Sequence, residues 1–164
     1  MKRLYLIGGT MGVGKTTLCQ NLNRILPNSI FLDGDWCWYA NPFQVTEETK
    51  AMALDNVCYI LNNFLRCTAY DNIIFCWVMH KQSIIDAIIS RLDAKEFDVR
   101  CISLMADEET LKQRLTADIA QGLRAPEIIN YSIARLSLYE RLKTIKVNTS
   151  GKSVREISKE ILEL

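Results

Sequence analysis

The stretch "GGTMGVGKTT", residues 8 to 17, lies between the apolar run "RLYLI" and a helical pattern, and it restricts the fold more than any other part of the chain. Gly9, Gly14, Lys15 and Thr16 fit G-x-x-x-x-G-K-[ST] without a mismatch. Gly9, Gly12 and Gly14 admit backbone conformations that a side chain would block, so amide groups can turn inward. The backbone of Gly9, Thr10, Met11, Gly12, Val13 and Gly14, with Thr17 just beyond, then cradles phosphate oxygens at the positive end of the helix that follows. Lys15 reaches the β- and γ-phosphates in this pattern, and the Thr16 hydroxyl ligates Mg²⁺. The expected ligand is a nucleoside triphosphate.

Five short apolar runs read as strands: Arg3–Ile7, Ser29–Leu32, Asn72–Met79, Asp98–Leu104 and Thr144–Val147. "NIIFCWVM" and "VRCISL" alternate little, as in strands covered on both faces. Between the strands lie helical patterns. Leu18, Leu22 and Ile25 share one face of the first, and Met52, Val57, Ile60, Leu61 and Phe64 share a face of Thr46–Arg66. Further helices are expected over Gln82–Leu92, Asp107–Ala120 and Glu127–Leu142, and "SVRE" at Ser153 spells a capping box before the last. Alternating strands and helices predict an α/β fold with a parallel sheet layered on both sides, in one domain over residues 1–164.

The 164 residues are 49% hydrophobic and 24% charged, with a net charge of +1, which offers no basic face for nucleic acid. No apolar run reaches spanning length, so no membrane partner is expected. Six cysteines form no C-x-x-C pair and His80 is the only histidine, which leaves a zinc site unsupported. Unspaced thiols of this kind suit a reducing cytoplasm, and the expectation is a cytoplasmic monomer or homodimer.

Neighbouring motifs narrow the chemistry. A GTPase would carry N-K-x-D, and "NTSGKS" at 148–153 lacks the aspartate. A motor or AAA-type ATPase would carry carboxylates at the end of a strand, and "NIIFCWVMH" has none after Asn72. Instead "FLDGDWCWY" places Asp33 and Asp35 at the end of the second strand, the edge where open α/β sheets bind ligands. One carboxylate can hold metal and the other can orient or deprotonate a hydroxyl, although the same residues also suit a turn and a helix cap. Asp33 is the first choice for the acceptor and Asp35 for metal or substrate, with the two roles exchangeable. Arg124 and Arg135, eleven residues apart, supply cations, with Pro126 opening a helix between them.

The cradle "GGTMGVGKTT", the "LDGD" and the "R…RLSLY" together resemble the small P-loop kinases. That group includes adenylate, shikimate, gluconate and adenylylsulfate kinases and the phosphotransferase acting on chloramphenicol. The resemblance implies a five-stranded sheet in the order 2-3-1-4-5, ATP with Mg²⁺, and a mobile lid over Thr116–Pro126. Arg114 would stand at its entrance, and Arg124 and Arg135 would close onto the phosphoryl group. It also implies that a loop such as Val147–Gly151 passes beside the adenine. The chain departs from the group's pattern as well: no arginine lies between Arg24 and Arg66, and no glycine triplet follows the third strand. The acceptor side is instead aromatic, with Trp36, Trp38, Tyr39, Phe43 and Trp77, joined by His80 and Lys81. The activity expected is phosphoryl transfer from ATP to a hydroxyl of a small molecule. A nucleoside or nucleotide kinase and a non-catalytic ATP-binding sensor are the alternatives.

Overall fold

The computed structural model describes residues 2–164. Strands β1 (Lys2–Gly8), β2 (Ser29–Asp33), β3 (Asn72–Cys76), β4 (Phe97–Met105) and β5 (Ile145–Asn148) form one sheet in the order β2-β3-β1-β4-β5. Every neighbouring pair is parallel, with Ile7 opposite both Cys76 of β3 and Ile102 of β4. The helices are α1 (Lys15–Ile25), α2 (Glu47–Arg66), α3 (Gln82–Ile89), α4 (Glu108–Ala120), α5 (Ile128–Glu140) and α6 (Val154–Leu162).

Successive strand residues point to opposite faces, and β1 shows how this builds a three-layer molecule. Tyr5 and Ile7 join a core with Leu18 and Leu22 of α1 and Ile157 and Ile161 of α6. Leu4 and Leu6 join the other core with Val57 and Leu61 of α2, Ile85 and Ile88 of α3 and Tyr139 of α5. Full burial of each aliphatic side chain contributes about 1.5–3 kcal/mol, so a strand apolar on both faces is stable only between two helical layers.

This layering also positions the site. Helix α1, following β1, packs on one face, whereas α3, following the adjacent β3, packs on the other. Two neighbouring strands whose chains leave in opposite directions open a crevice at their carboxyl ends.

Local signals set the helix starts. Thr46 caps α2, Asp107 accepts from the Thr110 amide at α4, and Ser153 with Glu156 closes the expected capping box of α6. Elsewhere packing prevails over pattern. Ile25 is 49% exposed and Met52 is also exposed, while Cys19 and Ala53 take the buried places on α1 and α2. Strand β3 stops at Cys76, not Met79, and Met79 adopts φ 40° in the turn toward α3. Asp33 through Trp38 form no simple turn: Gly34–Trp38 is a 3-10 helix. Among the described residues no helix is long and apolar enough to cross a membrane.

Candidate functional site

The crevice is a cleft of about 1360 Å³, lined by the loop after β1, the ends of β2 and β3, and parts of every helix. Met11, Gly12, Val13, Gly14, Lys15, Thr16 and Thr17 all line it. Gly12 has φ 83°, and a Cβ there would lie 2.5 Å from Leu115 of α4, so conformation and space both require glycine. Helix α1 carries no acidic residue in its first turn, which leaves its positive end available to an anion. The Lys15 ammonium donates to the carbonyls of Gly9 at 2.7 Å and Thr10 at 3.0 Å. Burial lowers its pKa from the usual lysine value, with the charges of Asp35 and Asp33 among those opposing the shift.

Gly9 and Thr10 do not line the cleft. The fully buried Thr10 hydroxyl instead donates to the Ser132 carbonyl at 2.9 Å, and the Ser132 hydroxyl donates to the Met11 carbonyl at 2.5 Å. The Thr10 side chain therefore ties the loop to α5, while the contact expected from the sequence is one of the loop backbone.

Asp33 ends β2 and is only 5% exposed. Its Oδ2 accepts from the Thr16 hydroxyl at 2.7 Å, and its Oδ1 accepts from the Asp35 amide at 3.0 Å, capping the 3-10 helix. The backbone here runs close to β3, since a Cβ on Gly34 would sit 2.5 Å from the Trp77 ring. Asp35 faces the cleft. Desolvation and the Asp33 charge push its carboxyl above the ordinary aspartate value, while the Lys15 and Arg124 charges oppose them. Among the described residues no three His, Cys, Asp or Glu side chains cluster as a metal cage. Thr16 and Asp33 nevertheless supply one hydroxyl and one carboxylate, a donor set that Mg²⁺ accepts alongside substrate phosphates.

All three expected arginines line the cleft. Arg114 is braced: it donates to the Val13 carbonyl at 3.0 Å, the Thr149 hydroxyl at 3.0 Å and the Thr149 carbonyl at 3.1 Å. Arg124 pairs with Asp118 at 3.1 Å, and the Arg135 guanidinium lies 4.2 Å above the Tyr131 ring. Helix α4 continues to Ala120, so the non-helical part of the expected 116–126 lid begins at Gln121.

Trp38, Tyr39, Phe43 and Trp77 line the cleft, but Trp36 does not. It packs edge-on against Phe31 with ring centroids 5.2 Å apart, and the 3-10 turn directs it away from its neighbours. His80 and Lys81 also face the cleft. Burial, with Arg135 and Lys81 nearby, lowers the His80 pKa to about 4, so the imidazole is neutral at pH 7, and its buried Nδ1 has no hydrogen-bond partner.

Sequence reasoning did not single out Asp118, Tyr131 or Ser132. The four-residue spacing of Tyr131 and Arg135 on one helix was a usable signal. Thr149 lies in the Val147–Gly151 loop expected beside the adenine, and its bonds to Arg114 depend on β5 lying beside β4.

A family model described as an AAA domain matches residues 6–128. No curated protein matches the sequence. Among solved structures, a gluconokinase from Sinorhizobium meliloti 1021 superimposes with a TM-score of 0.71 at 16% identity, over 99% of this chain and 90% of that one. The tunicamycin resistance protein of Deinococcus radiodurans gives 0.71 at 18%, over 99% and 95%. The Mycobacterium tuberculosis APS kinase, solved with AMPPNP and APS, gives 0.70 at 14%, over 99% and 96%. The match to the AAA domain model brings no carboxylate to the end of β3, where Phe75 and Cys76 stand. The chain therefore belongs to the AAA domain family, and its fold is that of the small P-loop kinases.

Proposed function

We propose that the chain is an ATP-dependent kinase that moves the γ-phosphoryl group onto a hydroxyl of a small molecule. The observation that carries this reading is the division of labour between two carboxylates. Asp33 has both oxygens engaged, one by the Thr16 hydroxyl, while Asp35 faces the cleft with a raised pKa. Asp33 therefore belongs to the metal side and Asp35 to the acceptor, which exchanges the roles first expected from the sequence.

The loop amides and Lys15 hold the β- and γ-phosphates, and the apolar side chains of Val154 and Ile157, which line the cleft, wall the base side. Thr16 and Asp33 would hold Mg²⁺, which would supply positive charge against the phosphate oxygens. Asp35 accepts the proton of the acceptor hydroxyl as that oxygen bonds to the γ-phosphorus. The bond from this phosphorus to the bridging oxygen breaks, and ADP leaves with the electron pair. Arg124 and Arg135 leave Asp118 and Tyr131 to meet the charge on the transferring group, a contribution of roughly 10³–10⁵ in rate for an arginine so placed. Loop closure excludes water, which would otherwise compete as acceptor.

The test is ADP release from ATP and Mg²⁺ across sugars, nucleosides, antibiotics and aromatic acids, with mass spectrometry of the product. One acceptor class should accelerate release and gain a phosphoryl group, and Lys15→Ala should abolish both. ATP binding without acceptor-stimulated release from any class would leave a nucleotide sensor and overturn the kinase.

A further inference from the structure

The cleft of about 1360 Å³ exceeds the roughly 300–1,000 Å³ of a single ligand site, which leaves room for a second molecule beside the nucleotide. The wall away from the phosphate loop is formed by Trp38, Phe43, Val45, Leu54, Ile84 and Ala87. Leu54 comes from α2, and Ile84 and Ala87 lie one turn apart on α3. Trp38 and Phe43 pack together with ring centroids 4.7 Å apart. Neither ring belongs to either core cluster, and neither does Val45. Phe43 and Val45 are exposed, and beside them Tyr39 is 99% exposed. The fold thus leaves an apolar wall uncovered inside its own cleft.

The polar complement of this wall is sparse. No asparagine or glutamine lines the cleft among the described residues. Beside Asp35, the acceptor side offers Tyr39, Lys50, His80, Lys81 and Ser83, and Lys50 is paired with Glu47 at 2.8 Å. These groups are few beside the apolar surface, so a polyol would gain less here than an apolar body. A monophosphate would meet no arginine from the segment between Arg24 and Arg66. Asp35 can take one acceptor hydroxyl.

We propose, resting on the kinase reading above, that the acceptor is an alcohol with a flat apolar body, in simplest form an aryl alcohol, which lies against Trp38 and Phe43 with its hydroxyl at Asp35. The same wall favours such a body over polyols, sugar acids and nucleosides.

Calorimetric titration of the full chain, saturated with a non-hydrolysable ATP analogue and Mg²⁺, tests this. The aryl probes are tyrosol and 2-phenyl-1,3-propanediol; the competitors are gluconate, glucose and thymidine. An aryl probe should bind at least about tenfold more tightly than the best competitor, and Trp38→Ala or Phe43→Ala should weaken it by about tenfold. Retained binding of the ATP analogue shows that each variant is folded. A competitor that binds as tightly, aryl probes that do not bind, or variants that leave their affinity unchanged overturn the proposal while the kinase reading stands. Failure of the wild-type chain to bind the ATP analogue removes the kinase reading itself, and this inference with it.

Discussion

Thr16 and Asp33 lie seventeen residues apart in the chain, yet their hydroxyl and carboxylate meet at 2.7 Å. That contact is the ground on which we propose roles for the two aspartates, and it makes Asp35 the informative position to change. Asp35→Asn should lower turnover by about 10²–10⁴ while the ATP analogue still binds, measured by ADP release beside calorimetry. The acid limb of kcat/KM should lie above the ordinary aspartate value of 3.8, because the base must ionise against its surroundings. The same shift predicts a stability effect of fixed sign. A carboxyl with a raised pKa in the folded state destabilises the fold when ionised, and that cost is present above the folded pKa and gone below the unfolded one. Thermal melts should therefore show Asp35→Asn more stable than wild type at neutral pH, with the difference vanishing in acid. Gly12→Ala should cost about 1–3 kcal/mol in denaturant unfolding, since it combines a left-handed backbone with a clash at Leu115.

Helix α5 carries Arg135 and is fastened at several points. Ser132 joins it to Thr10 and Met11, the buried Tyr139 hydroxyl donates to the Val78 carbonyl at 2.5 Å, and the Lys143 amide just beyond its end donates to Gln82 at 2.8 Å. The loop that precedes the helix is the segment in which we propose that the lid moves. Ser132→Ala should reduce kcat by about ten- to a hundredfold and also weaken nucleotide affinity, because it releases both α5 and the Thr10–Met11 part of the cradle. Single-turnover kinetics would separate these effects. Elements of this kind were legible wherever the signal was local: the glycine loop, the doubly buried strands, and the caps at Thr46, Asp107 and Ser153. What the sequence could not show depends on long-range packing. The direction of Trp36 follows from a 3-10 turn wedged against Trp77, Met79 takes a left-handed backbone that its sequence does not announce, and the fastening of Thr10 needs a residue 122 positions away.

At the scale of the molecule, the cleft gathers groups from the loop after β1, the end of β2, α4, α5 and the β5–α6 connection. A ligand that touches them together favours the folded state by linkage. The ATP analogue at about a thousand times its dissociation constant should stabilise the chain by about 4 kcal/mol, and Lys15→Ala should lose this gain. Differential scanning calorimetry with and without Mg²⁺ measures it. In the mechanism proposed here, Arg135, stacked over Tyr131, gives up that ring to reach a phosphate. A fluorine atom placed on Tyr131 would consequently feel the guanidinium depart, and its chemical shift would report the fraction of molecules in which the arm has swung inward.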